Sequence, residues 1–219
     1  ASAVGAAFLF AFQIPNLFRR LLGEGALTAA IVPVLAEKTA REGRPAAYGF
    51  LNDVLRRILP GMLALTLLGI GLALLWAFLR PSDANAALLT AACMPYMPLI
   101  CVAALFTSAV NLSGRFGLAE IASGLLNLCM IAGLGLFGLL ADTEMGKAGW
   151  LCAGAIAGGA LQLLIPLQGL RQEGWRPGPS QPDPVAWRTL SIAFLPAALG
   201  AGIQQINFLV SRGLAFKVS

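Results

Sequence analysis

Histidine is absent from this chain, and charged side chains make up only 11% of its 219 residues. Without imidazole, the segment has no histidine for acid–base catalysis or for binding a metal ion. An ordinary soluble domain carries about 25% charged residues, whereas here hydrophobic residues reach 58%. The composition therefore excludes an ordinary soluble domain and predicts a membrane protein.

Motifs for enzyme chemistry are also missing. The chain has no GxxxxGK[ST] loop to bind the phosphates of ATP. The four cysteines form no CxxC pair, and all lie in apolar runs, at Cys93, Cys101, Cys129 and Cys152. Such cysteines are typical of small buried apolar residues, and their spacing argues against a zinc site or a disulfide framework. We therefore predict that the chain is not an enzyme and has no catalytic residue, metal site or cofactor.

Long hydrophobic runs dominate what is present. A helix needs about 20 mostly apolar residues to cross the hydrocarbon core of a membrane, and these Leu/Ala-rich runs lack the alternation of transmembrane strands. We predict an all-α polytopic transmembrane helix bundle with about six spans, near residues 6–35, 58–79, 86–112, 118–140, 148–170 and 188–219. Gly154 and Gly158 predict close helix packing. Pro95 and Pro98 predict a strong bend in the third span.

Loop charges give the orientation of the bundle. The loops around residues 37–57, Arg115 and residues 171–188 carry nine Lys and Arg residues together, whereas the opposite loops carry only Arg80 and Lys147. The positive-inside rule places the first set in the cytoplasm. Because topology accounts for the excess of positive charge, we expect no nucleic-acid partner.

A Pro-rich stretch, GWRPGPSQPDPVAW at residues 174–187, separates residues 1–173 from the last span. On this topology it is a cytoplasmic connector. Tryptophan favours the membrane–water interface, so we expect Trp175 and Trp187 to lie at the level of the lipid headgroups.

Three charges interrupt the first predicted span. A charge at the centre of a membrane helix costs about 2.5–3.5 kcal/mol on insertion scales. Arg20 and Glu24 are four residues apart, so they share a helix face and can neutralise each other, with Asn16 one turn earlier on that face. Arg19 points about 100° away from this face. Facing the bundle interior, its planar guanidinium could hold a phosphate through two parallel hydrogen bonds.

A second interpretation of these charges stays open. Arg19 and Arg20 could end a short span as cytoplasmic anchors, with residues 21–37 lying along the membrane surface. Loop charges do not separate the two interpretations. The nearly apolar residues that follow Glu24 favour continued insertion.

The run FQIPNLFRRLLGEGALTAAIVPVLAE, which begins at Phe12, resembles the signature of the lipid II flippase family (MurJ/MviN). This family belongs to the multidrug/oligosaccharidyl-lipid/polysaccharide exporter superfamily. Weaker matches follow in order: MPYMPLICVAAL, NLSGRFGLAEIASGLLNLCMIAG, GGALQLL and LGAGIQQINFL. The resemblance implies a fragment of a two-lobed transporter that holds helices two to seven of fourteen, with residues 1–173 in the N-terminal lobe.

The resemblance also implies a function. Family members flip lipid II, an undecaprenyl-pyrophosphate-linked disaccharide-peptide, from the inner to the outer leaflet of the bacterial cytoplasmic membrane for cell-wall synthesis. By motif match, Arg19 is implied as a cavity arginine and Glu24 as its neighbouring functional acid. Arg20 and Asn16 also match and complete the predicted substrate-binding residues, although their spacing favours a structural role. The expected partners are the lipid-linked anionic oligosaccharide and membrane lipids, and a coupling ion is left open.

Three alternatives compete with this function. A polysaccharide-repeat flippase would bind a related pyrophosphate lipid, and only the closeness of the motif disfavours it. A multidrug or ion antiporter would carry unpaired acidic residues in its cavity, whereas Glu24 has a candidate partner in Arg20. A non-transporting scaffold for cell-wall enzymes would carry its charges on loops instead of inside a span.

Overall fold

The computed structural model describes residues 3–18, 26–114, 117–179 and 182–218, and every regular element in these ranges is helical. The α-helices are α1 (Ala3–Phe18), α2 (Leu27–Glu42), α3 (Arg44–Leu79), α4 (Ala84–Cys93), α5 (Tyr96–Asn111), α6 (Gly117–Ala132), α7 (Glu144–Gln172) and α8 (Pro184–Val218). Short 3-10 or π turns follow α3 and α6, at Pro81–Asp83, Gly133–Phe137 and Gly138–Leu140.

Helix length and hydropathy agree with a membrane bundle. Within the described ranges, three helical stretches are long and apolar enough to cross a bilayer: Arg44–Leu79, Pro81–Asn111 and Glu144–Gln172. Val4–Phe18 and Gly124–Leu140 are shorter apolar helices. The prediction of an all-α, multi-pass membrane bundle is confirmed. The division into residues 1–173, 174–187 and 188–219 stays a prediction.

The predicted cytoplasmic loop at 37–57 is helical instead. It forms the end of α2 and the start of α3, which meet at Gly43. Gly43 has φ 87°, a left-handed conformation that side chains other than glycine rarely adopt. The turn packs α3 back along α2, and Phe50 and Leu51 are buried beside Ile31 and other residues of α2. Sequence reasoning missed this hairpin because its charged residues were interpreted as a loop.

The third predicted span is interrupted near Pro95, and the strong bend stays a prediction. Helix α4 ends at Cys93 and α5 begins at Tyr96. Proline has no backbone N–H to donate, and Met94, just before Pro95, divides its own N–H between Thr90 and Ala91 at 3.2 and 3.3 Å.

Helices α6 and α7 approach most closely through glycines. A Cβ atom built at Gly154 would lie 2.6 Å from the carbonyl oxygen of Cys129, and one at Gly158 would lie 2.8 Å from Cα of Leu126. Neither space would hold a side chain without moving the opposite backbone. The close packing that these two glycines predict is therefore present, at the face between α6 and α7.

Candidate functional site

Three of the four predicted substrate-binding residues, Arg19, Arg20 and Glu24, lie outside the described residues. Asn16 is described: it occupies the last turns of α1 and is half-buried. The roles assigned to these four residues from the motif and its spacing stay predictions.

The described residues on both sides of 19–25 pack against the same helix, α5. Phe18, the last residue of α1, contacts the buried cluster around Tyr96. Leu27, the first residue of α2, is 4% exposed and belongs to a cluster that contains Leu105. The described residues that flank 19–25, Phe18 and Leu27, therefore pack into the interior of the bundle.

An apolar cavity of about 340 Å³ lies beside Phe18, between α1, α3 and the α4–α5 segment. Its walls include Phe10, Leu65, Trp76 and Met97. Trp76 and Thr90 bring the only N–H or O–H side-chain donors among its lining residues, and none of these residues is charged. The lining therefore suits apolar material better than a phosphate.

A polar contact between two helices lies in the membrane-spanning region. Tyr96 donates from its hydroxyl to Oε1 of Gln162 at 3.4 Å, and Gln162 is 4% exposed. This contact connects α5 with α7. Glutamine at this position thus has the ordinary role of interhelical hydrogen bonding.

A set of polar contacts that sequence reasoning missed joins the α2–α3 hairpin to residues 173–187. We call this set the connector clamp, or simply the clamp. Its first part is Lys38, which is 7% exposed and donates from Nζ to Asp183 Oδ2 at 2.7 Å. Lys38 also bonds Glu42 one turn later, at 3.1 Å. The hydrogen bond to Asp183 raises the pKa of Lys38 above 10.5. That bond, followed by the backbone N–H of Ala186, lowers the pKa of Asp183 below 3.8.

The second part of the clamp surrounds Asp53, which is 4% exposed. Trp187 donates from Nε1 to Asp53 Oδ2 at 2.5 Å. Arg57 approaches the same carboxylate at 3.2 Å and lies 4.7 Å from the ring centroid of Trp187. The indole N–H and the guanidinium thus share one buried carboxylate.

The third part of the clamp surrounds Glu173. Its carboxylate accepts a hydrogen bond from the Tyr48 hydroxyl at 3.3 Å and another from the Ser113 hydroxyl. Burial, followed by the neighbouring Glu173 charge, raises the pKa of Tyr48 above its usual value of 10. The four-residue spacings Lys38–Glu42 and Asp53–Arg57 are visible in the sequence. The contacts across more than 100 residues carry no local signal.

The connector tryptophans pack against protein, and their depth relative to the lipid headgroups stays a prediction. Trp175 is 3% exposed and packs against Phe106 with ring centroids 5.2 Å apart. Protein, and not lipid headgroups, surrounds it. Trp187 is half-buried and holds Asp53. The connector is therefore packed onto the bundle.

The described residues contain no cluster of three or more Cys, Asp or Glu side chains that could hold a metal ion.

Comparison with known proteins gives a consistent family. The model of the family described as Lipid II flippase MurJ matches residues 1–219. A probable lipid II flippase MurJ of Rhizobium tropici is 31% identical over 220 residues, which are 95% of this chain and 41% of the relative. The lipid II flippase MurJ of Burkholderia cenocepacia is 30% identical over 233 residues, which are 100% of this chain and 44% of the relative. A probable lipid II flippase MurJ of Vibrio cholerae is 35% identical over 234 residues, which are 98% of this chain and 43% of the relative.

The chain spans less than half the length of these curated relatives. The family model nevertheless covers every residue of the chain. The resemblance seen in the FQIPNLFRR run is confirmed, and the chain belongs to the lipid II flippase MurJ family.

Proposed function

We propose that the protein containing this chain flips lipid II from the inner to the outer leaflet of the bacterial cytoplasmic membrane by alternating access. The match of the MurJ family model to all 219 residues carries this proposal. The flipped molecule is a lipid-linked pyrophosphate, so the transporter must shelter an anionic headgroup while the polyprenyl tail stays in lipid. Moving the headgroup makes and breaks no covalent bond, which agrees with a transporter that is not an enzyme.

In this proposal Arg19 binds the pyrophosphate. The described residues on either side of 19–25 are packed against α5 between Tyr96 and Leu105, inside the predicted span 86–112. A guanidinium held near this depth would cost about 2.5–3.5 kcal/mol without an anion or water beside it. A pyrophosphate offers oxygen pairs that match the two parallel donors of the guanidinium. This placement favours an inserted segment over a helix on the membrane surface.

The neighbouring predicted residues have supporting roles. Glu24 can neutralise Arg20 across one helical turn, which leaves Arg19 as the free cation. Asn16 would lie one turn before Arg20 on the same face. Membrane lipids surround the bundle.

Arg19→Ala tests the binding role in cells depleted of their native lipid II flippase. We expect the variant to reach the membrane at normal levels and to fail to support growth. Arg19→Lys keeps the charge but not the paired donors, so we expect partial growth. Arg80→Ala is the matched control, because Arg80 is exposed between α3 and α4 and belongs to the opposite, outer loop set. Normal growth with Arg19→Ala at equal protein levels would show that the binding role is wrong.

Transport in vesicles tests the substrate. Purified full-length protein in liposomes should flip lipid II faster than a polysaccharide-repeat precursor on the same pyrophosphate lipid, and it should not move a cationic drug. Preference for the polysaccharide precursor would identify a different flippase, and drug transport would identify an antiporter. Failure to move any of the three, with the protein folded, would favour a scaffold.

A further inference from the structure

We propose that Cys93 and Cys152 are a dithiol pair that oxidises to an intramolecular disulfide and covalently joins α4 to α7. The two Sγ atoms lie 3.0 Å apart, although the residues are 59 positions apart in the chain. A disulfide has an S–S distance of about 2.05 Å, so closure needs a movement of only about 1 Å. This inference is independent of the proposed function.

The surroundings of the pair favour closure. Cys93 is fully buried and Cys152 is 2% exposed, in a cluster with Phe8, Leu89 and Ala148. Sγ of Cys152 also lies 3.9 Å from the carbonyl oxygen of Leu89, one turn before Cys93. Helices α4 and α7 are thus in contact at this level before any bond forms.

The two cysteines also lie at matching depths. Cys93 is nine residues from Ala84, where α4 begins, and Cys152 is eight residues from Glu144, where α7 begins. At 1.5 Å per residue these positions are about 12–14 Å along each helix. Both helices begin at the end that the loop charges assign to the outside of the cell, so the pair lies in the outer half of the bundle.

The oxidation proceeds by thiol–disulfide exchange with a small apolar disulfide. The thiolate of one cysteine attacks the reagent, which releases one reagent thiol and leaves a mixed disulfide on the protein. The second cysteine attacks the cysteine sulfur of that mixed disulfide and releases the second reagent thiol. The two cysteine protons pass to the two released thiolates, so two thiols are oxidised and one reagent disulfide is reduced.

Dipyridyl disulfide is a suitable probe, because it is apolar and reaches thiols inside a bilayer. The full-length protein would carry Cys101→Ala, Cys129→Ala and a protease site in the loop after Asn111, which separates Cys93 from Cys152. After treatment and cleavage, we expect the two fragments to stay linked without reductant and to separate with dithiothreitol. Mass spectrometry of the linked peptides should show a loss of two hydrogen atoms and no pyridyl adduct.

Single replacements supply the controls. Cys93→Ala or Cys152→Ala should abolish the link and leave one pyridyl adduct on the remaining thiol. With all four cysteines present, the link should again join residues 93 and 152, because Cys101 and Cys129 make no contact of this kind. The proposal is overturned if Cys93 and Cys152 each carry a separate adduct. In the protein with all four cysteines, the proposal is equally overturned if Cys93 and Cys152 both stay free after the half-buried Cys129 has reacted completely.

Discussion

The middle of this bundle and the end that carries residues 173–187 are held together by different kinds of contact. Near the middle of α7, Gly154 and Gly158 let α6 approach so closely that a Cβ atom at either position would meet the opposite backbone. At the end that carries residues 173–187, the clamp joins α2 and α3 to that segment through buried charges and hydrogen bonds. Each region thus uses the contact that its surroundings make effective.

The difference follows from the solvent around each region, which is lipid in one case and water in the other. Lipid is as apolar as leucine, so burying apolar side chains does not drive helices together in a bilayer, and close backbone contact must supply the attraction. Many apolar residues in the second half of α3 accordingly face outward, with Leu67 69% and Phe78 82% exposed. At the end that carries residues 173–187, the bundle holds tryptophan by shape and by a hydrogen bond: Trp175 packs against Phe106, and Trp187 donates to Asp53.

The largest expected effect concerns the glycine contact. Gly154→Leu would drive a side chain into the carbonyl oxygen of Cys129, 2.6 Å from the new Cβ. We expect a loss of about 3 kcal/mol or more in unfolding free energy, because backbone cannot yield as a side chain does. Denaturant unfolding of the purified protein in detergent would measure it.

Gly149→Leu is the matched control for this change. It lies on the same helix, and a Cβ there would meet nothing within 4 Å. Leucine has a higher helix propensity than glycine, so the variant should be as stable as the native protein or slightly more stable. Equal losses for the two variants would mean that glycine contact does not hold α6 against α7.

The next effect tests the buried carboxylate of the clamp. Asp53→Ala removes the acceptor of the Trp187 N–H and the partner of Arg57. We expect the free energy of unfolding to fall by about 2 kcal/mol, a loss typical of a hydrogen bond to a charged group. Reduced protection of the Trp187 indole N–H from hydrogen exchange would locate the damage.

Asp142→Ala is the control, because Asp142 is exposed in the loop before α7. It should leave both the free energy of unfolding and the hydrogen exchange of the Trp187 indole N–H unchanged. If Asp53→Ala is as stable as Asp142→Ala, the clamp does not stabilise its end of the bundle, and the contrast between the two regions fails.

The glycine contact could be predicted from sequence, whereas the clamp could not. Gly154 and Gly158 are four residues apart in an apolar run, and this local spacing indicates a close helix–helix face. The proline break at Pro95 is equally local, since a missing N–H acts on its own helix. The all-α class followed from run length and composition alone.

The clamp depends on contacts between distant parts of the chain. Lys38 and Asp183 are 145 residues apart, and no periodicity or motif connects them. The positive-inside rule predicts on which side of the membrane a charged segment lies, but it does not predict which residue each charge will contact. The candidate site divides in the same way: its motif is local and visible, but what Arg19 faces depends on the fold around it.

The smallest expected effect concerns the Lys38–Asp183 pair and its pH dependence. Asp183→Asn should cost about 1 kcal/mol at neutral pH, because Asp183 is partly exposed to solvent, which weakens the interaction. The exposed pair Glu37–Arg41 supplies the control, and Glu37→Gln should have no measurable effect on stability.

The pKa of Asp183 is lowered in the folded protein, so the contribution of this residue to stability is complete above about pH 4 and is lost as the pH falls through the folded value. The pKa of Lys38 is raised, so its contribution is complete below about pH 10 and is lost as the pH rises through its folded value. The stability difference between native protein and Asp183→Asn should therefore be constant between these limits and shrink outside them. A difference that instead disappears near pH 7 would show that the two charges do not interact in the folded protein.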